Sequence, residues 1–187
     1  AFWTVGGALG AGITASGVDF ASLQGDKAVV EIMQRMGADI TKTDDSVTVN
    51  SGTTQATVID ASNCPDIIPV LTVLAAVSEG TTKIINAGRL RIKECDRLAA
   101  MTSELNKMGA AITEEAEGLT ITGKPEGLRG GVDVDAWNDH RIAMSLAIAA
   151  QCCAEPITLT GAGSVSKSYP DFWEDYKSVG GKIEVLA

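Results

Sequence analysis

Three stretches of the chain are apolar on every side, three others are apolar on one side only, and the two kinds alternate. Residues 1–10, 65–78 and 139–153 carry almost no charge, and a helix that is apolar all round is buried all round. Residues 26–36, 94–108 and 169–179 are amphipathic. In the second of these Leu98, Met101, Leu105 and Met108 recur at helical spacing, so one face is core and the other is wet. Strand-like runs separate the helices, as in Thr81-Thr82-Lys83-Ile84-Ile85. The pattern predicts inner helix, strand, outer helix, three times over.

The order repeats because the sequence does. Met36-Gly37-Ala38-Asp39-Ile40 returns as Met108-Gly109-Ala110-Ala111-Ile112 and as Val179-Gly180-Gly181-Lys182-Ile183, with Gly37, Gly109 and Gly180 spaced by 72 and 71 positions. Each glycine follows an amphipathic stretch, where a helix ends most easily on a left-handed residue. A strand pattern follows each. In the first two units it continues as a hairpin, 38–42 with 47–49 and 111–114 with 119–122, then a further strand at 57–60 and 132–134. The expected class is α+β: repeats of a βαβαββ-type unit, two complete and one truncated, with buried parallel helices. Residues 1–187 are expected to form one domain. Strands lacking at both ends predict a longer polypeptide whose N-terminal residues supply the closing strands.

Composition adds little to this picture, but charge adds something specific. Lys and Arg number 15 against 24 Asp and Glu, a formal net charge of −9. Phosphate neutralisation along a nucleic acid is not expected of such a chain, whereas a local basic pocket can still take a small anion. Five of the 15 cations (Lys83, Arg89, Arg91, Lys93 and Arg97) fall within 15 positions. Such a run is either a solvated face or an anion site. The four cysteines form no Cys-x-x-Cys pair, and with one histidine they do not read as a zinc site. Reduced thiols fit a cytoplasmic protein. No apolar run is long enough to span a bilayer, and residues 1–15 lack the basic start of a signal peptide.

The remaining charge sits at helix openings. Lys93 and Arg97, four apart, are expected on one face of a helix start, with Glu94 about 100° round from Lys93. Asn63-Cys64-Pro65-Asp66 reads as a capped opening with Pro in the first turn, and Asp66 alone is explained by the helix dipole. Asn138-Asp139-His140-Arg141 reads as a helix capped by Asn138. Ser168 to Asp171 reads as a capping box with Lys167 just outside. Equivalent helix ends of a repeat share a side, so Asp66 and Glu94 can meet Lys93, Arg97, Arg141 and Lys167 in one cleft.

Three segments together resemble the enolpyruvylshikimate phosphate synthase family: 91–97 (Arg-Ile-Lys-Glu-Cys-Asp-Arg), 138–144 (Asn-Asp-His-Arg-Ile-Ala-Met) and 167–172 (Lys-Ser-Tyr-Pro-Asp-Phe). Leu23-Gln24-Gly25-Asp26 and Pro65-Asp66 fit as well, and the match runs in order along the whole chain. The resemblance implies that residues 1–187 are most of one of two similar domains. It implies transfer of an enolpyruvyl group from phosphoenolpyruvate to a hydroxyl of shikimate 3-phosphate, with release of phosphate. Asp66 then matches the proton acceptor and a ligand of the shikimate hydroxyls, and Glu94 the proton donor. Lys93 matches a ligand of the shikimate phosphate. Arg97, Arg141 and Lys167 match the surroundings of phosphoenolpyruvate. No metal or organic cofactor is implied. The implied partners are the two substrates and the N-terminal domain of the same polypeptide, with no nucleic acid and no membrane. The chain alone is expected to be inactive.

Departures are few. Cys95 stands where the family usually has Ser or Thr, Ser164 where many members have Cys, and Arg89 where some members use Asn, so that contact is not transferred. Two other readings stay open on sequence alone. One is a sibling enolpyruvyl transferase acting on a UDP-sugar, which shares the fold but lacks the Lys-Glu-x-Asp-Arg set. The other is a non-catalytic module that binds phosphoenolpyruvate. The residues preceding Ala1 would separate them.

Overall fold

In the computed structural model, which describes residues 1–186, the inner helices are α1 (Phe2–Leu9), α3 (Ile68–Ala76) and α5 (His140–Ala149). Every residue of α3 is buried, as a stretch without charge on any side must be. The three inner helices pack against one another. They run the same way. Leu9, Val77 and Cys152, at or just past their C-terminal ends, line one cavity of about 410 Å³, while their starts gather at the opposite end beside Asp66, His140 and Asp26.

The outer helices are α2 (Ala28–Arg35), α4 (Arg97–Lys107) and α6 (Phe172–Ser178). Gly37, Gly109 and Gly180 follow them with φ of 82°, 103° and 99°, the left-handed conformation that the repeat predicts. Strands β1 (Ile13–Ser16), β2 (Ile40–Lys42) and β3 (Ser46–Val49) form an antiparallel sheet in the order β1-β3-β2. Strands β4 (Val58–Asp60), β5 (Thr81–Ile85), β6 (Ala111–Glu115) and β7 (Gly118–Thr122) form a second sheet, β4-β5-β7-β6, with only β4 and β5 parallel. Between the second and third units β8 (Leu128–Gly130) pairs with β10 (Cys153–Glu155), and β9 (Asp133–Asp135) with β11 (Thr158–Thr160), both parallel. Separate sheets around a helical centre, not one continuous parallel sheet, follow from the short repeat.

The structure corrects several details. The strand expected after Gly180 is not formed: no other strand among the described residues lies beside it, and Val185 and Leu186 are exposed. Helix α5 stops at Ala149, and Cys153 turns instead into β10 opposite Leu128. An apolar run does not distinguish a helix end from a half-buried strand. Ser168 makes no capping bond to α6. The aromatic residues, few as they are, concentrate. Trp3 stacks on Phe172 at 5.2 Å, and Tyr169, Trp173 and Tyr176 surround the same ring, so α1 of the first unit is closed against α6 of the third.

Candidate active site

The cleft is built at the starts of the inner helices, and its frame is set by the loops that enter them. Pro65 opens α3 through a 3-10 turn and brings Asp66 into its first turn. Lys93, Glu94 and Cys95 are not on α4. A 3-10 turn, Gly88–Ile92, precedes them, Lys93 is extended (φ −86°, ψ −150°), and Asp96 caps the helix by accepting from the Ala99 N–H at 3.1 Å. The shared helix face expected for Lys93 and Arg97 is therefore absent, because a cap residue between them breaks the periodicity. They meet at Asp66 all the same.

Asp66 Oδ1 accepts from Arg97 Nη1 at 2.9 Å and lies 3.3 Å from Lys93 Nζ. Arg141 donates to the Asp66 carbonyl at 2.9 Å, and its Nη2 is 3.7 Å from Asp66 Oδ2. Burial works to raise the Asp66 carboxyl, but Arg141, Lys93 and Arg97 outweigh it and hold it below the usual carboxylate range. Asp26 Oδ2 lies 3.7 Å from Arg141 Nη1. Glu94 forms a second centre. Its Oε2 is 3.6 Å from Lys167 Nζ and its Oε1 is 2.8 Å from His140 Nδ1. The ring N–H does not point along that line, and Nδ1 has no hydrogen bond of good geometry among the described residues. Lys167 also donates to the Asn138 carbonyl.

All six residues singled out from sequence thus come together: Asp66, Lys93, Glu94, Arg97, Arg141 and Lys167. Sequence reasoning missed Asp139, which is fully buried. Its Oδ2 accepts from Arg97 Nε at 2.8 Å and its Oδ1 from the Arg141 N–H at 2.8 Å, so it caps α5 in place of Asn138 and orients the Arg97 fork. Asn138 is left-handed instead, with φ 52°. Only the fold reveals the pair: the side chain of Arg97 is 3% exposed, and a buried guanidinium requires a buried partner. Burial raises the Asp139 carboxyl, and the Arg97 hydrogen bond and charge more than reverse this. Of the five clustered cations, Lys93 and Arg97 reach the cleft at Asp66. Arg91 instead binds Asp96, Glu114 and the carbonyls of Glu115 and Ala116, tying the turn to the β6–β7 hairpin.

The arrangement favours anions. Donor atoms of Glu94, Asp139 and His140 lie within 4.8 Å of one another, a spacing that suits a metal ion. Asp139 is already committed to Arg97 and the Arg141 N–H, however, and Lys167 and Arg97 would repel a cation. The Cys95 thiol, pushed up to about 12 by burial and by Asp139, is no nucleophile at neutral pH.

Buried parallel helices in repeated units, with carboxylates and cations gathered at their common end, are the fold of the enolpyruvyl transferases. The enolpyruvyl transferase NikO from Streptomyces tendae superposes on 98% of the chain with a TM-score of 0.80 and 25% identity, the match covering 42% of that structure. The chain belongs to the EPSP synthase (3-phosphoshikimate 1-carboxyvinyltransferase) family, whose model matches residues 1–176. A 3-phosphoshikimate 1-carboxyvinyltransferase of Clostridium kluyveri is 55% identical over 184 residues, 98% of this chain, and one of Clostridium novyi is 54% identical. EPSP synthase from Acinetobacter baumannii superposes on the whole chain with a TM-score of 0.90 and 31% identity. The chain spans 43% of the Clostridium kluyveri relative and 46% of the Acinetobacter baumannii structure.

Proposed function

We propose that residues 1–187 are most of one domain of a two-domain cytoplasmic enzyme that transfers the enolpyruvyl group of phosphoenolpyruvate to shikimate 3-phosphate. The observation that carries this is the convergence of Asp66, Lys93, Arg97 and Arg141, with Glu94 and Lys167 beside them, in a chain of this family. The four free cysteines agree with a reducing compartment. No helix is long and apolar enough to cross a membrane. The missing half of the substrate cradle belongs to an N-terminal domain of the same polypeptide.

The chemistry proceeds by addition and elimination. The sugar hydroxyl attacks the enol carbon, its proton passes to Asp66, and Glu94 protonates the methylene carbon. A methyl proton then returns to Glu94, the carbon–phosphate oxygen bond breaks, and phosphate leaves with the proton held by Asp66. The electrostatics fit this use. Without substrate, Asp66 lies among three cations and is a weak base. The carboxylate and phosphate of the substrates compete for those cations; the Arg141 fork suits either group, and Arg97 offers Nη1 while Asp139 holds the rest of its guanidinium. As they turn to the substrates, the pull on Asp66 weakens and its basicity rises.

Glu94→Gln in the full-length polypeptide tests the assignment. It keeps the shape and removes the transferable proton. Phosphate release from the two substrates should fall by about 10²–10⁴-fold, the usual range for a positioned acid–base group, with little change in either KM. Wild-type turnover would leave Glu94 as no more than a partner for Lys167.

A further inference from the structure

We propose that Glu104, on the cation-bearing helix but with no contact to the cleft carboxylates, is a positioning residue: it clamps the turn before α5 onto α4 and so sets where Lys167 and Arg97 stand. The proposal rests on the transfer reading of the site.

Glu104 lies two helical turns after Arg97, on the same face of α4. Its side chain is 1% exposed, an expensive place for a carboxylate unless every lone pair is used. They are used. Oε1 accepts from Trp137 Nε1 at 2.9 Å and from Ser103 Oγ at 3.1 Å. Oε2 accepts from the Asp135 N–H at 3.1 Å and from Lys107 Nζ at 2.7 Å. Burial raises this carboxyl, but Lys107, Trp137 and the Asp135 N–H together keep it below its ordinary value, so it remains an acceptor. An apolar side chain, like that of the neighbouring Leu105, would satisfy the packing without these costs.

What it holds is strained. Trp137 and Asn138 are consecutive non-glycine residues with φ of 52° each; asparagine tolerates this conformation, but a bulky tryptophan adopts it only when the surroundings impose it. The turn presents two groups to the cleft. The Asn138 carbonyl takes Lys167, and the Asp139 carboxylate takes Arg97. Helix and turn are therefore stapled twice, with opposite polarity. Arg97 offers donors to an acid in the turn, and Glu104 offers an acid to donors in the turn. Sliding α4 along the turn by one helical repeat would break both, so the pair fixes the register of the cation-bearing helix against the loop that aims Lys167. When an anion draws Lys167 away, the Asn138 carbonyl loses its partner, and the change reaches the Trp137 indole that Glu104 holds.

The test uses the full-length polypeptide and three variants. Glu104→Gln presents an amide N–H₂ to at least one of the Trp137 and Asp135 donors. It should lower kcat by about 10-fold or more and raise KM for phosphoenolpyruvate, with KM for shikimate 3-phosphate changed less than about twofold. Glu104→Asp should recover part of the loss. Trp137→Phe removes one bond of the clamp and should give the same pattern at smaller size. The double variant should be no worse than Glu104→Gln alone, because both act through one turn. In ¹H–¹⁵N spectra the Trp137 indole signal should move when inorganic phosphate is added to the wild type, and not in Glu104→Gln. A residue that only supports the fold would lower Tm, leave kcat and both KM values per folded molecule at wild-type levels, and add independently to Trp137→Phe; that result overturns the proposal. If Glu104→Gln does not fold, Trp137→Phe decides by the same KM pattern. If the wild-type polypeptide releases no phosphate from the two substrates, the transfer reading fails separately. The clamp then stands on the indole response, lost in the variant if the proposal is right and kept if it is wrong.

Discussion

Arg97 does two jobs with one guanidinium: its Nε and Nη2 face Asp139, and its Nη1 faces Asp66. A lysine offers a single point charge and cannot serve both acids in these directions. In the full-length polypeptide Arg97→Lys should therefore raise KM for phosphoenolpyruvate at least 10-fold more than KM for shikimate 3-phosphate. Steady-state kinetics with each substrate varied in turn decides this, and an equal loss for both would contradict the assignment. The carboxylates make a second prediction. Asp66, Asp139 and Glu104 are all held below their ordinary values in the folded state. Each contributes stability that is fully present above its unfolded value, near pH 4, and is lost as pH falls through the lower folded value. Tm should be flat with respect to these groups from about pH 5 to 7 and should fall steeply below about pH 4. In Asp139→Asn that acid slope should be shallower. An unchanged slope would mean that Asp139 and Arg97 do not pair in solution.

Elements carry the residues into place, and the joints between them leave little room. Gly25, in the 3-10 turn Gly25–Lys27 before α2, packs its backbone on the loop that opens α3. A Cβ there would lie 2.2 Å from the Asn63 carbonyl oxygen, three residues before Asp66. No side chain at the far end of that contact can give way, because the obstacle is backbone. Gly25→Ala should destabilise by about 1–3 kcal/mol and displace the α3 opening. Calorimetry should show a Tm lower by a few degrees, and turnover should fall with it. A variant with normal Tm and normal rate would show that the two turns are not in close contact. The repeat itself is also legible at this scale: three left-handed glycines at the ends of α2, α4 and α6 and three largely apolar inner helices follow from the spacing and the hydrophobic pattern. The openings were less so, because a cap residue such as Asp96 or Asp139 interrupts the helical period just where the charged residues stand.

At the scale of the whole molecule the count of cations matters. Lys93, Arg97, Arg141 and Lys167 suffice for one small dianion, and no second full set stands in the cleft among the described residues. Transfer requires two anionic reactants held together, and such holding is worth about 7–11 kcal/mol of barrier. The chain alone should therefore release no phosphate from phosphoenolpyruvate and shikimate 3-phosphate, while a mixture with the separately made remainder of the polypeptide should. Near full-length rates from the chain alone would mean that it carries a second anion site of its own.

The periodicity of hydrophobic residues was enough to determine the number of helices, which of them are buried, and the length of the repeating unit, because burial on all sides or on one side is written into each stretch separately. The identities at 91–97, 138–144 and 167–172 were enough to indicate the family. What lay beyond the sequence was pairing between distant positions. That Asp139 orients Arg97 across 42 positions and that Glu104 grips Trp137 across 33 depends on how α4 lies against the loop before α5. So does the parting of neighbouring cations, Lys93 and Arg97 to the cleft and Arg91 to a hairpin. Charge alone carries no direction. Only the packed helices and the backbone that joins them decide which way each side chain points and what it meets there.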